Sequence, residues 1–129
     1  MAKLKRFLKL SDLTEIRTGF TFREKIEEVE SGNAHVLQIK DIRNIATDTC
    51  SYTLFADALP QIDWQGKDNA IVSPESVLLP CRGEYLKAHY FVGYQDQSKA
   101  LPLIVSSQFL ILMPNQNVLP EYLCWYLNQ

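Results

Sequence analysis

The chain is short of the residue types that most catalytic and metal sites need. It has two histidines, His35 and His89, and three cysteines far apart, Cys50, Cys81 and Cys124, with no CxxC or Cys/His pairing. That spacing argues against a zinc site and a disulfide framework, and leaves the cysteines as small core residues in a reducing compartment. No GxSxG, HExxH, P-loop or GxGxxG pattern occurs, so neither a nucleophile elbow nor a phosphate-cradling loop is signalled. Long apolar runs are missing too: nothing reaches the roughly 20 residues that a membrane-spanning helix needs. The opening MAKLKRFLKLSDL carries positive charge, but Lys9 interrupts its apolar stretch and no small-residue cleavage site follows. A cytoplasmic protein is expected. A basic balance is also absent, since the net charge is −2. Any contact with nucleic acid must therefore come from a local basic face.

What is present fits one folded unit. With 129 residues and 47% hydrophobic content, a single core is expected, large enough to fold without disulfide or metal. Short apolar runs alternate with Gly, Pro, Asn and Asp, the punctuation of mixed α and β structure. Strands are expected at AHVLQI (34–39), CSYTLF, AIV, VLLPC, AHYFVGY and SQFLILM, with Pro74, Pro80, Pro102 and Pro114 near run ends. Both histidines fall within such strands, where a hydrogen-bonded core histidine is the common outcome. Ser11-Asp12 can cap a short helical turn through LTEI, Gly19 permits a turn, GFTF alternates aromatics as a strand does, and REKIEEVE reads as a helix. In VLPEYLCWYLNQ, Leu119, Tyr122, Leu123, Tyr126 and Leu127 fall on one helical face, with Pro120 at the first position and Glu121 at the positive end of the dipole. Trp125 lies off that stripe. The fold class is therefore α+β: a twisted mixed or antiparallel sheet, partly barrel-like, with few short helices and a C-terminal helix.

Four segments, in order, carry a resemblance. KLSDLTEIRTGFTF, with Leu10, Asp12, Leu13, Gly19 and Phe22, is followed by VLQIKDIRN, with Ile39, Lys40, Asp41 and Ile42; SPESVLLPCRG comes next, and LPLIVSSQFLILMPN with LPEYLCWYLNQ closes the chain. Together they resemble a target recognition domain of the specificity (S) subunit of type I restriction-modification systems. That family has Leu-x-Asp-Ile before a Gly and a Phe, Ile-Lys-Asp-Ile at a strand end, a Gly-Asp-Ile-Leu strand, and a Pro-Glu-Tyr-Leu helix. Two departures stand out. Glu75-Ser76 occupies the place of Gly-Asp, and nothing follows Gln129 where the family has long helices leading to a second recognition domain. The resemblance thus implies a single target-recognition-like domain over 1–129, whose autonomous assembly with a methyltransferase is not expected.

The resemblance implies a sequence-specific DNA recognition module without catalysis, cofactor or metal. Its partners would be double-stranded DNA, the methyltransferase subunit and, indirectly, the restriction subunit, with a second recognition domain or self-association as a further contact and no membrane. The DNA-contact candidates are Arg17, Arg23, Lys40, Arg43, Asn44, Arg82, Tyr85 and Lys87, each at a strand end or in the loop after it. Trp125 and Tyr126 are the partner-binding candidates. The alternative is a protein interaction module of the same fold that has lost DNA contact, consistent with the acidic pI. A distant alternative, a metal-dependent nuclease, rests on Gln38 placed two residues before Lys40 at a strand end.

Overall fold

A computed structural model describes residues 14–42, 53–81, 87–115 and 118–128. In chain order the strands are β1 (Thr14–Thr18), β2 (Ala34–Leu37), β3 (Thr53–Phe55), β4 (Gln61–Ile62), β5 (Ile71–Val72), β6 (Val77–Pro80), β7 (His89–Gly93), β8 (Leu103–Val105) and β9 (Phe109–Pro114). An α-helix follows, α1 (Pro120–Leu127), and among the described residues 39–42 are also helical. Two mixed sheets result, ordered β1-β9-β6-β7-β3 and β4-β2-β8-β5, and they are not closed into a barrel. The α+β expectation with a C-terminal helix holds.

The two sheets share one core. Leu78, Phe91, Phe109 and Ile111 of the larger sheet meet Leu37, Val72, Leu103 and Val105 of the smaller. The far face of the larger sheet, with Val77 and Leu112, is covered by Leu123 and Cys124 of α1. The far face of the smaller sheet, with Ala34, Val36 and Ile104, takes Phe22, Ile26 and Trp64. Apolar layers on both faces explain why β6 and β9 read VLLP and FLILMP with no polar alternation. Each of these buried large side chains contributes about 1.5–3 kcal/mol relative to exposure.

Several local expectations are corrected. LTEI does not open a helix: from Thr14 onward it is strand β1, paired antiparallel to β9 from Thr14↔Pro114 to Thr18↔Leu110. Three β-branched residues in five, Thr14, Ile16 and Thr18, suit that pairing. GFTF forms only an isolated bridge, Phe20↔Ser106, because Phe20 and Phe22 instead stack edge-to-face on each other and on Trp64. REKIEEVE is irregular rather than helical. Glu24, Glu27, Glu28 and Glu30 would repel one another at helical spacings, and the segment instead lays Ile26 on the outer core while Val29 N–H donates to the Gln61 carbonyl. Gly19 serves close approach rather than a turn: a Cβ there would lie 1.9 Å from the Ser106 carbonyl oxygen. On α1 the buried residues are Leu123 and Cys124, whereas Tyr122 and Tyr126 face solvent, so the apolar stripe is rotated from the expected one. Hydrogen bonds set that rotation, since Cys124 Sγ donates to the Ala88 carbonyl and Asn128 Nδ2 donates to the same oxygen. Cys81 is exposed, not core, and Cys50 lies outside the described residues.

One backbone detail bears on the departure at Glu75-Ser76. Glu75 has φ 73°, the left-handed region that favours glycine. The turn is held by Glu75 N–H donating to the Phe91 carbonyl and by Ser76 Oγ donating to the Ser73 carbonyl, 2.8 Å each.

Candidate functional site

The short turn between β8 and β9 is a junction. Within it, Phe109 N–H donates to the Ser106 carbonyl at 3.2 Å, and Ser106 Oγ accepts from Gln108 N–H at 3.3 Å. Three strand ends attach to it. Gly19 N–H donates to the Phe109 carbonyl, Phe20 N–H to Val105, and Ser107 N–H back to Phe20, which fixes the exit of β1. Ser106 N–H donates to the Leu37 carbonyl, which fixes the exit of β2. Cys81 N–H donates to the Gln108 carbonyl at 2.9 Å, which fixes the exit of β6. The antiparallel hairpin register Val77↔Tyr90, Leu78↔His89 starts β7 at this same end. Asn128 brings the C-terminus of α1 there as well, its side chain accepting from Ala88 N–H at 2.7 Å and donating to the Ala88 carbonyl at 2.9 Å.

The candidate DNA contacts distribute unequally around this end. Arg17 is half-buried, and its guanidinium donates to the Asn69 carbonyl at 2.5 Å and the Ile71 carbonyl at 2.8 Å. It thereby joins edge strand β1 of one sheet to β5 of the other. Arg23 is exposed and lines a groove of about 580 Å³ with Phe20, Phe22, Ile26 and Asp63. Lys40 is exposed and paired with Glu28, and this hydrogen bond raises its pKa. Asp41, next to it, accepts from Gln38 N–H at 2.9 Å; burial raises its carboxyl pKa and that bond opposes the rise. Lys87 Nζ donates to the Asn128 carbonyl at 3.0 Å, a cation placed on the negative end of the α1 dipole. Arg43, Asn44, Arg82 and Tyr85 lie outside the described residues. Both partner-binding candidates are exposed, Trp125 at 57% and Tyr126 at 61%, and Tyr122 contacts both rings.

The histidines behave as the strand alternation predicts. His35 Nδ1 lies 3.0 Å from the Leu59 carbonyl and His89 Nδ1 lies 3.1 Å from that of Lys87, both in buried positions. Among the described residues no three His, Cys, Asp or Glu side chains gather to hold a metal ion. No described helix is long and apolar enough to cross a membrane.

Sequence reasoning missed Ser106, Ser107 and Gln108. SQFLILM reads as one strand, yet β9 starts only at Phe109 and the polar Ser-Ser-Gln step is the turn that gathers the strand ends. The available signal was a polar triplet between the apolar runs LPLIV and FLILM. No family model matches this chain, and no curated protein is similar enough to it to count as a match.

Proposed function

We propose that this chain is a sequence-specific DNA recognition module, a single recognition domain that performs no bond chemistry. It directs a methyltransferase subunit and, through it, a restriction subunit to a site in cytoplasmic DNA. One observation carries the reading: β1, β2 and β6, which the candidate segments follow in sequence, end together around the Ser106–Gln108 turn. Those segments hold Arg23, Lys40, Arg43, Asn44, Arg82, Tyr85 and Lys87. A rigid scaffold that brings several strand ends to one side suits reading of base edges by the loops that follow, with cations of those loops supplying phosphate contact. The charge distribution is compatible with this. Positive charge clusters locally in the sequence at Lys3, Lys5, Arg6 and Lys9, within a chain of net charge −2. The left-handed φ at Glu75, where the resembling pattern has Gly, supports the alignment of that strand with the family's. Arg17, engaged with two carbonyls, is assigned to holding the sheets together rather than to DNA.

The test is an Arg82→Ala, Lys87→Ala double variant. Weaker duplex binding with a salt slope reduced by about one per lost phosphate contact is expected. Unchanged binding and slope would remove these residues from the interface.

A second reading is favoured by the outer face of α1, where Leu119, Tyr122, Trp125 and Tyr126 are all exposed. There the chain is a protein interaction module, and an apolar patch of this kind marks a docking surface. A Trp125→Ala, Tyr126→Ala variant of unchanged melting temperature should then lose assembly with its partner. Retained assembly would leave the second reading without support.

A further inference from the structure

Gln108 links two of the segments assigned above to DNA reading, one by its side chain and one by its backbone. Its Oε1 accepts from Ile39 N–H at 3.2 Å, across 69 positions of sequence. Ile39 opens the helical turn that carries Lys40 and Asp41, and its N–H is one of the donors that a helix start leaves without an internal acceptor. The first turn of a helix is the costly one to form, so an outside acceptor at its start favours it. Ser106 Oγ also donates to Oε1 at 3.2 Å and thereby aims the amide. At the same time the Gln108 carbonyl accepts from Cys81 N–H at 2.9 Å and from Cys81 Sγ at 3.1 Å. Cys81 is the last residue before Arg82.

We infer that Gln108 is a positioning residue that fixes the spacing between Ile39, after β2, and Cys81, after β6, and that it thereby sets sequence selectivity rather than overall affinity. The inference rests on the recognition reading proposed above. Hydrogen bonds to base edges require donors and acceptors placed within about 0.5 Å, whereas phosphate contacts by long cationic side chains tolerate larger shifts. Loosening the helical turn at 39–42 therefore blurs base readout and leaves the electrostatic attraction in place.

Two substitutions separate hydrogen bonding from packing. Gln108→Met keeps the length and volume but has no strong acceptor for Ile39 N–H; Gln108→Glu keeps the acceptor. The full chain is titrated with the duplex that the wild-type protein enriches from a random library and with a scrambled duplex of equal length. The readout is the ratio of the two dissociation constants. Expected is a drop of about tenfold in that ratio for Gln108→Met, the worth of one well-placed hydrogen bond, with scrambled-duplex affinity and salt slope unchanged. Faster amide exchange at Ile39 should accompany it. Gln108→Glu should keep the ratio near wild type, even where its added charge weakens both duplexes equally. A wild-type ratio in Gln108→Met, or a proportional loss on both duplexes, overturns this inference while the recognition reading stands. A wild-type protein that enriches no duplex overturns the recognition reading and this inference with it.

Discussion

Replacing Gly19 by alanine tests the junction at its tightest point. A Cβ at that position would lie 1.9 Å from the Ser106 oxygen, 2.5 Å from the Ser106 carbonyl carbon and 2.6 Å from the Val105 oxygen. All three are backbone atoms of the β8–β9 region, so no side chain can swing aside. Relief requires the end of β1 to withdraw by more than an ångström, and three bonds span that gap: Gly19 N–H to Phe109 at 3.0 Å, Phe20 N–H to Val105 at 2.7 Å, and Ser107 N–H to Phe20 at 2.9 Å. At about 0.5–1.5 kcal/mol each, their loss amounts to about 2–4 kcal/mol. For a chain of this size that corresponds to a fall in melting temperature of roughly 8–15 °C. Urea unfolding followed by circular dichroism would measure the free energy, with Gly93→Ser avoided as a control because Gly93 has its own positive φ of 121°. A loss below about 0.5 kcal/mol, the range of ordinary surface substitutions, would refute the close approach and with it the claim that the turn gathers the exit of β1.

Glu75→Gly should stabilise the fold by about 0.5–1 kcal/mol, because relief of the left-handed φ exceeds the added freedom of glycine in the unfolded chain; a loss on urea titration would contradict the strained turn. Burial pushes the Cys124 thiol up to about 11, so Cys81 should react with a maleimide in the native protein while Cys124 reacts only on unfolding; mass spectrometry of labelled peptides decides it. The same shift makes stability fall as pH rises above 9, since the unfolded chain releases the Cys124 proton first. His89 gives the opposite limb: burial lowers its pKa against the weaker effect of the Lys87 carbonyl, so the unfolded chain takes up the proton first and stability falls as pH drops below 6.5. Asp41, raised by burial, works in the other direction as pH falls toward 3.8, so a His89→Gln variant should flatten the profile near pH 6; an unchanged slope there would assign it to another group.

Elements whose environment repeats locally were legible in the sequence. β9 reads as an unbroken apolar run because it lies between the inter-sheet core and α1, and α1 itself is announced by Pro120 and Glu121. The face that α1 buries was not legible, because it is chosen by Asn128 and Cys124 bonding to Ala88, 40 and 36 residues away. REKIEEVE failed for a related reason: Ile26 and Phe22 lie over the smaller sheet, a surface that exists only once β2, β4 and β8 are assembled. The candidate site divides along the same line. Lys40 and Lys87 lie near the ends of β2 and β7, whereas Arg17, which looks equivalent in sequence, is held by carbonyls 52 and 54 residues away. Gln108 stood out in sequence only as part of the polar Ser106–Gln108 triplet, since its partner Ile39 is its neighbour only in the fold.

The central claim, that one end of this sheet pair reads DNA sequence, meets its most direct test in a random-duplex selection with the intact chain, alone and with a methyltransferase subunit, followed by a salt titration of the enriched duplex. The account predicts a reproducible enriched motif whose binding constant falls linearly with salt on logarithmic axes. Binding that is absent, indifferent to salt or without preference in both settings would contradict it.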